Sequence, residues 1–177
     1  MATIFMDAIK NHGTHTVGNV NSHTIETLAN GAICTENIDN FTIVETGFDA
    51  ETGERTCSKL KNKATRGMLI ASPEERHFEF EQMCDFYNAL GERARLIYLT
   101  EGKRFQSSAF SLHTTANSVL KNGLKAHWDV ATTKFIIHDG THADYATAAN
   151  KFMVVGQEND DEYTIDGFDL VQLEVIQ

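Results

Sequence analysis

Gly67-Met68-Leu69-Ile70-Ala71-Ser72-Pro73-Glu74-Glu75 sets a strand and a helix start back to back. The first five residues are a short apolar run and predict a buried strand. The rest predicts a helix N-terminus. Ser72 offers an oxygen to the first free amides, and Pro73 gives up no hydrogen bond at the first helical position. Glu75, three residues after Ser72, completes a capping box. Met83, Phe86, Tyr87 and Leu90 then recur at helical spacing, and Gly91 supplies a stop. One helix is predicted over about 73–90.

Outward from this stretch the chain reads almost entirely as short strands. Asn30-Gly31 is a turn before the apolar run Ala32-Ile33-Cys34. Asn40 to Glu45 is β-branched and partly alternating. The polar loop Asp49 to Glu54 then leads into a hairpin partner, Arg55 to Leu60. On the far side, Ala94 to Leu99 and Arg104 to Ser111 read as strands. Ala126 to Asp129 and Lys134 to His138 flank a turn, and Asp144 to Ala149 fits one helical turn. Phe152 to Val155 is a buried strand. In Phe168 to Val175 the apolar alternation slips by one residue, which predicts a β-bulge at Leu170-Val171. The expected fold is α+β and mainly β. It is a small sandwich or barrel-like body of short antiparallel strands with one packed helix. Residues 28–177 form this β-rich domain. Residues 1–27 are polar and read as an extended N-terminal arm.

Composition narrows the partners. The chain has 177 residues, a formal net charge of -10 and one proline. Average usage predicts about nine prolines, so this is not a Pro-rich linker or stalk, and the rest of the chain is free to make ladders. Acidic side chains outnumber basic ones 25 to 15, which argues against sequence-independent nucleic-acid binding. Arg55, Lys59, Lys61, Lys63 and Arg66 form the local exception. They read as a solvated strand or loop face, and equally as a contact for an acidic partner protein. No apolar run is long enough to span a membrane, and the N-terminus lacks the features of a secretion signal. Cys34, Cys57 and Cys84 are odd in number and show no CxxC spacing. They read as reduced, mostly buried thiols made in a cytosol, with a Cys34–Cys57 disulfide as the alternative.

Catalytic signatures are absent: there is no GxSxG, P-loop or GxGxxG. Cys84 reads as core packing, Glu79, Glu81 and Asp85 as a solvated helix face, and Glu158 to Glu162 as an acidic loop without EF-hand spacing. Histidine is the enriched reactive type, with eight copies. His138-Asp139-Gly140-Thr141-His142-Ala143-Asp144 is its densest cluster. Imidazoles beside a carboxylate are metal-ligand chemistry, but Asp139-Gly140 predicts a turn, so a polar hairpin tip is the plainer reading. Trp128, beside Asp129 near a turn, is either a core residue or an interface anchor.

The order of elements carries a resemblance. Leu28-Ala29-Asn30-Gly31 precedes a strand, and a hairpin passes through Thr52-Gly53-Glu54. Leu69 to Glu74 opens a helix leading to Phe86-Tyr87-Asn88 and Gly91-Glu92-Arg93-Ala94-Arg95. Gly102 and a strand containing Phe105 follow. Over roughly residues 28–110 this resembles small virion proteins of tailed bacteriophages, of the capsid decoration or cement type. The resemblance implies a structural protein, made in the host bacterial cytoplasm and bound to the capsid surface. It implies the major capsid protein as partner, a homo-oligomer such as a trimer, and no catalytic residues or cofactor. The arm would lie on the lattice, with the basic residues 55–66 and Trp128 as candidate contacts. Two alternatives stand beside it: a head–tail connector or tail component, and a metal-dependent hydrolase using His138, His142 and Asp144.

Overall fold

Alternation along a few short strands decides which side chains are buried. A computed structural model describes residues 17–18, 26–73, 85–116, 120–155, 164–165 and 168–176. The chain runs β1 (Val17–Gly18), β2 (Ala32–Cys34), β3 (Ile38–Asp39), β4 (Ile43–Phe48), β5 (Arg55–Lys59) and β6 (Met68–Ile70). It continues through β7 (Tyr87–Asn88), β8 (Arg93–Ala94), β9 (Leu96–Ile97), β10 (Arg104–Ser107), β11 (Phe110–Leu112) and β12 (Lys125–Asp129). Last come β13 (Lys134–His138), β14 (Lys151–Val154), β15 (Thr164–Ile165), β16 (Phe168–Asp169) and β17 (Val171–Val175). A six-stranded sheet has the order β8-β2-β5-β4-β6-β9, and a seven-stranded sheet the order β1-β10-β17-β14-β12-β13-β11. Pairing is antiparallel except for β2 with β5 and β11 with β13. The mainly β architecture expected from the sequence is the one found.

The period-2 rule sorts the core. Ile43, Leu69 and Ile97 share a buried cluster with Phe105, Trp128, Phe135, Phe152 and Leu173 of the seven-stranded sheet. Their chain neighbours Val44, Met68, Ile70 and Leu96 enter a second cluster with Leu28, Ile38 and Cys57. The six-stranded sheet is buried on both faces along β6 and β9, which is why Met68-Leu69-Ile70 is apolar without alternation. Phe152 meets Phe105 and Phe135 edge-on at ring centroids of 5.9 and 5.0 Å, a geometry that aromatic quadrupoles favour. The Gly31 N–H closes a turn on the Leu28 carbonyl at 3.0 Å, and Asn30 at its third position holds φ of 61°, the left-handed conformation a type II turn requires there. A Cβ on Gly31 would stand 2.2 Å from the Ala94 carbonyl oxygen, so only glycine fits there.

Several local expectations change. The helix cannot run to Leu90, because Tyr87 and Asn88 pair with Asp39 and Ile38 as β7. The buried Asn88 amide donates to the Ile38 carbonyl and to Asn40 Oδ1, and that tertiary pairing overrides helical spacing. Leu90 is exposed. Residues 74–84, where most of the helix was expected, lie outside the described residues. The slip at Leu170 is a strand break and not a bulge: β16 pairs with β15, and β17 joins the seven-stranded sheet. Of the expected arm, Val17–Gly18 pairs with Ser107 and Gln106 of the same chain, and Thr27 bridges to Ile97. The Asp144–Ala149 turn is present, with the Ala148 N–H donating to the Asp144 carbonyl at 3.0 Å.

Candidate functional site

The antiparallel register of β12 and β13 builds a histidine cluster. His127 lies opposite Ile136, so His138 is its diagonal neighbour on the same face. Ala126, Trp128, Phe135 and Ile137 fill the core on the opposite face. His127 and His138 are nevertheless buried, at 1% and 0% exposure. Around His142, ring centroids of His113, His127 and His138 stand 4.7, 4.7 and 5.5 Å away. Tyr145 packs edge-on against His138 at 4.8 Å.

Backbone donors fix the rings. The Gly140 N–H donates to His138 Nδ1 at 2.9 Å, and the Asp144 N–H to His142 Nδ1 at 3.2 Å. Neutral His138 therefore carries its proton on Nε2, which stands 3.1 Å from His127 Nδ1, and donates it there. Burial, and then the facing His142, push His127 down to about 4. Burial and the His127 ring do the same for His138, also to about 4. Both rings are thus neutral at pH 7. The Lys63 ammonium ion-pairs with Asp144 and holds its carboxyl below the usual range.

That ion pair belongs to a clasp between the sheets. The loop from β5 to β6 meets the loop that precedes β14. Buried Asn150 reads both polarities of that backbone: Oδ1 accepts from the Gly67 N–H and Nδ2 donates to the Thr65 carbonyl, each at 2.9 Å. The Ala149 N–H donates to the Lys63 carbonyl at 2.8 Å.

The candidate residues from the sequence separate here. His142 and Asp144 are brought together, but their third neighbour is His127 rather than His138. Potential ligand atoms of His127, His142 and Asp144 all lie within 4.8 Å of one another, and His138 stands behind His127. The signal for His127 was the hairpin register, which puts positions 127 and 138 on one face. Trp128 is a core residue at 1% exposure, packed on Phe135 at 4.8 Å, and presents no surface as an anchor. The basic residues do not act as one free patch. Lys63 pairs with Asp144, and the Arg66 guanidinium donates to the Leu99 carbonyl at 3.0 Å. Arg55 stacks over Phe48 at 5.1 Å, Lys59 is half-buried and Lys61 is exposed.

Cys34 and Cys57 are free, buried and directly paired across β2 and β5. Their sulfurs are 3.7 Å apart. The Cys57 thiol faces the Ala32 carbonyl, so Cys34 donates to Cys57. That hydrogen bond raises the Cys34 pKa and lowers that of Cys57.

Residues 11–176 match the family described as YonC prophage protein. A relative named SPbeta prophage-derived uncharacterized protein YonC, from Bacillus subtilis (strain 168), is 50% identical over 181 residues. The alignment covers 100% of this chain and 99% of the relative. No solved structure matches. The chain belongs to the YonC prophage protein family and is of phage origin. No helix among the described residues is long and apolar enough to cross a membrane.

Proposed function

We propose that the protein is a structural virion component that binds the outside of the capsid and stabilises contacts between major capsid protein subunits. It is made in the host cytoplasm and carried on the particle as a homo-oligomer, with a trimer suiting local three-fold axes. Phage ancestry supports the class. The observation that carries the surface role is the pair Phe48 and Arg55 at the turn end of the β4–β5 hairpin. Phe48 is 67% exposed and lies under the exposed Arg55 guanidinium. An aromatic ring with a stacked arginine is the residue chemistry that dominates protein interfaces, and arginine suits an acidic partner. This turn end of the hairpin supplies an apolar and cationic contact on a chain of net charge -10.

Purified protein is mixed with heads from a phage lacking this gene and pelleted. Saturable co-sedimentation is expected, weakened by Phe48→Ser with Arg55→Glu. Wild-type protein that stays in the supernatant, or that appears only in tail or connector fractions of intact particles, overturns the reading.

A further inference from the structure

We infer that His127, His142 and Asp144 form a site for one divalent ion of the zinc class. This is independent of the virion reading. Two imidazoles and one carboxylate are a borderline donor set suited to Zn²⁺. Their candidate ligand atoms already lie within 4.8 Å of each other. The carboxylate takes its hydrogen bond from Lys63, which an ion at this position has to displace or share. Zinc bonds of about 2.0–2.2 Å bring tetrahedral ligand atoms to about 3.4 Å, so the loop carrying His142 and Asp144 closes slightly on the ion. Three protein ligands leave a coordination position for water.

The hydrogen bonds say how loading must proceed. His127 Nδ1 is engaged by His138 Nε2, so Nε2 of His127 is the nitrogen offered to the ion. Binding there moves the His127 proton to Nδ1 and reverses the bond, with His138 Nε2 now accepting. His138 must then carry its proton on Nδ1, displacing the Gly140 N–H. Gly140 is exposed, with φ of 107°, and such a turn can yield. His142 likewise must either give up the Asp144 N–H at Nδ1 or turn its ring. His138 is thus a positioning residue for His127, in the manner of an outer partner of a metal-bound imidazole. Lys63 opposes the ion, because it competes for the Asp144 carboxylate and adds a positive charge.

The test titrates chelator-treated full-length protein with Zn²⁺ by calorimetry and with Co²⁺ by visible absorption. One ion per chain and a Co²⁺ ligand-field band are expected. His142→Ala and Asp144→Asn should abolish both, and His138→Ala should weaken affinity about tenfold or more. His113→Ala, which removes a ring that packs on His142 and hydrogen-bonds Thr115, should leave binding intact. Lys63→Met is the decisive variant. A purely structural Lys63–Asp144 pair predicts weaker or unchanged binding once it is broken, whereas a metal site predicts tighter binding. Melting curves show which variants fold; should His142→Ala fail, wild type and Lys63→Met still decide. No saturable ion in wild type, binding unaffected by Asp144→Asn, or no gain in Lys63→Met overturns the assignment.

Discussion

Replacing Asn150 tests whether the clasp between the two sheets is held by hydrogen-bond satisfaction rather than by packing alone. In Asn150→Ala the two partners fare differently. Thr65 is exposed, so its carbonyl recovers a hydrogen bond from water. Gly67 is buried, so its N–H loses its Asn150 acceptor with no water to replace it. An orphaned buried donor costs about 1–3 kcal/mol. For a chain of this length about 2 kcal/mol lowers Tm by roughly 4–8 °C. Asn150→Asp separates the two halves of the interaction. Its carboxylate still accepts from Gly67 but faces the Thr65 carbonyl without a proton to share. Burial and that carbonyl raise the new carboxyl's folded pKa above its unfolded value near about 3.9. The penalty is therefore present at pH 7 and fades as pH falls through the raised value, where the acid O–H donates to Thr65. Urea melts of wild type and both variants at several pH values measure this, with each difference taken against wild type at the same pH. An Asn150→Ala loss below about 0.5 kcal/mol would mean that Gly67 finds another acceptor. An Asn150→Asp penalty that does not shrink with acid would remove the Thr65 half of the account.

Three further outcomes are expected. Phe152→Ala opens a hole among Phe105, Phe135 and Val175 and should cost about 3–5 kcal/mol, read as a fall in Tm of roughly 10 °C; a loss under 1 kcal/mol would mean the cluster collapses to fill it. Thr133 holds φ of 52°, an unfavourable conformation for a β-branched residue, so Thr133→Asn should raise stability by about 1 kcal/mol, and a lower Tm would show that the hydroxyl bond to the Thr132 carbonyl matters more. Treatment with a disulfide oxidant should join Cys34 to Cys57, with a mass loss of two hydrogens and a gain of about 3 kcal/mol from closing a loop of this size; intact thiols in the folded protein, or a lower Tm once joined, would refute that.

Much of the fold was readable because its signals are local. The Asn30-Gly31 turn, the Asp49–Glu54 loop between paired strands and the hairpin of 126–138 each carry their own turn chemistry. The misplaced features depend on pairing at long range. Tyr87 and Asn88 fit a helical stripe, yet a buried amide network with Ile38 and Asn40 claims them as strand. The slip at Leu170 looks the same in one dimension whether a strand bulges or ends; only the choice of partners distinguishes them. Trp128 alternates correctly with Ala126, but nothing local says which face of β12 meets the other sheet.

The histidine cluster shows where such reading stops and what extends it. His138, His142 and Asp144 stood out because they are close in sequence, and closeness favoured the wrong third member. Once the 129–134 turn sets the hairpin register, His127 must share a face with His138, and that step needs only period-2 geometry. What no register supplies is burial. Position 127 lies on the face of the sheet away from the core, where a histidine would ordinarily be solvated. It is buried among His138, His142 and Tyr145. The loop carrying the last two is tied to a different sheet by Asn150 and by the Ala149 N–H on the Lys63 backbone carbonyl. The neutral imidazoles that make the cluster suitable for a metal therefore follow from the clasp as much as from the histidines. Asn150→Ala should thus weaken zinc binding without touching a ligand, and unchanged affinity in that folded variant would show that the loop is positioned by its own turns alone.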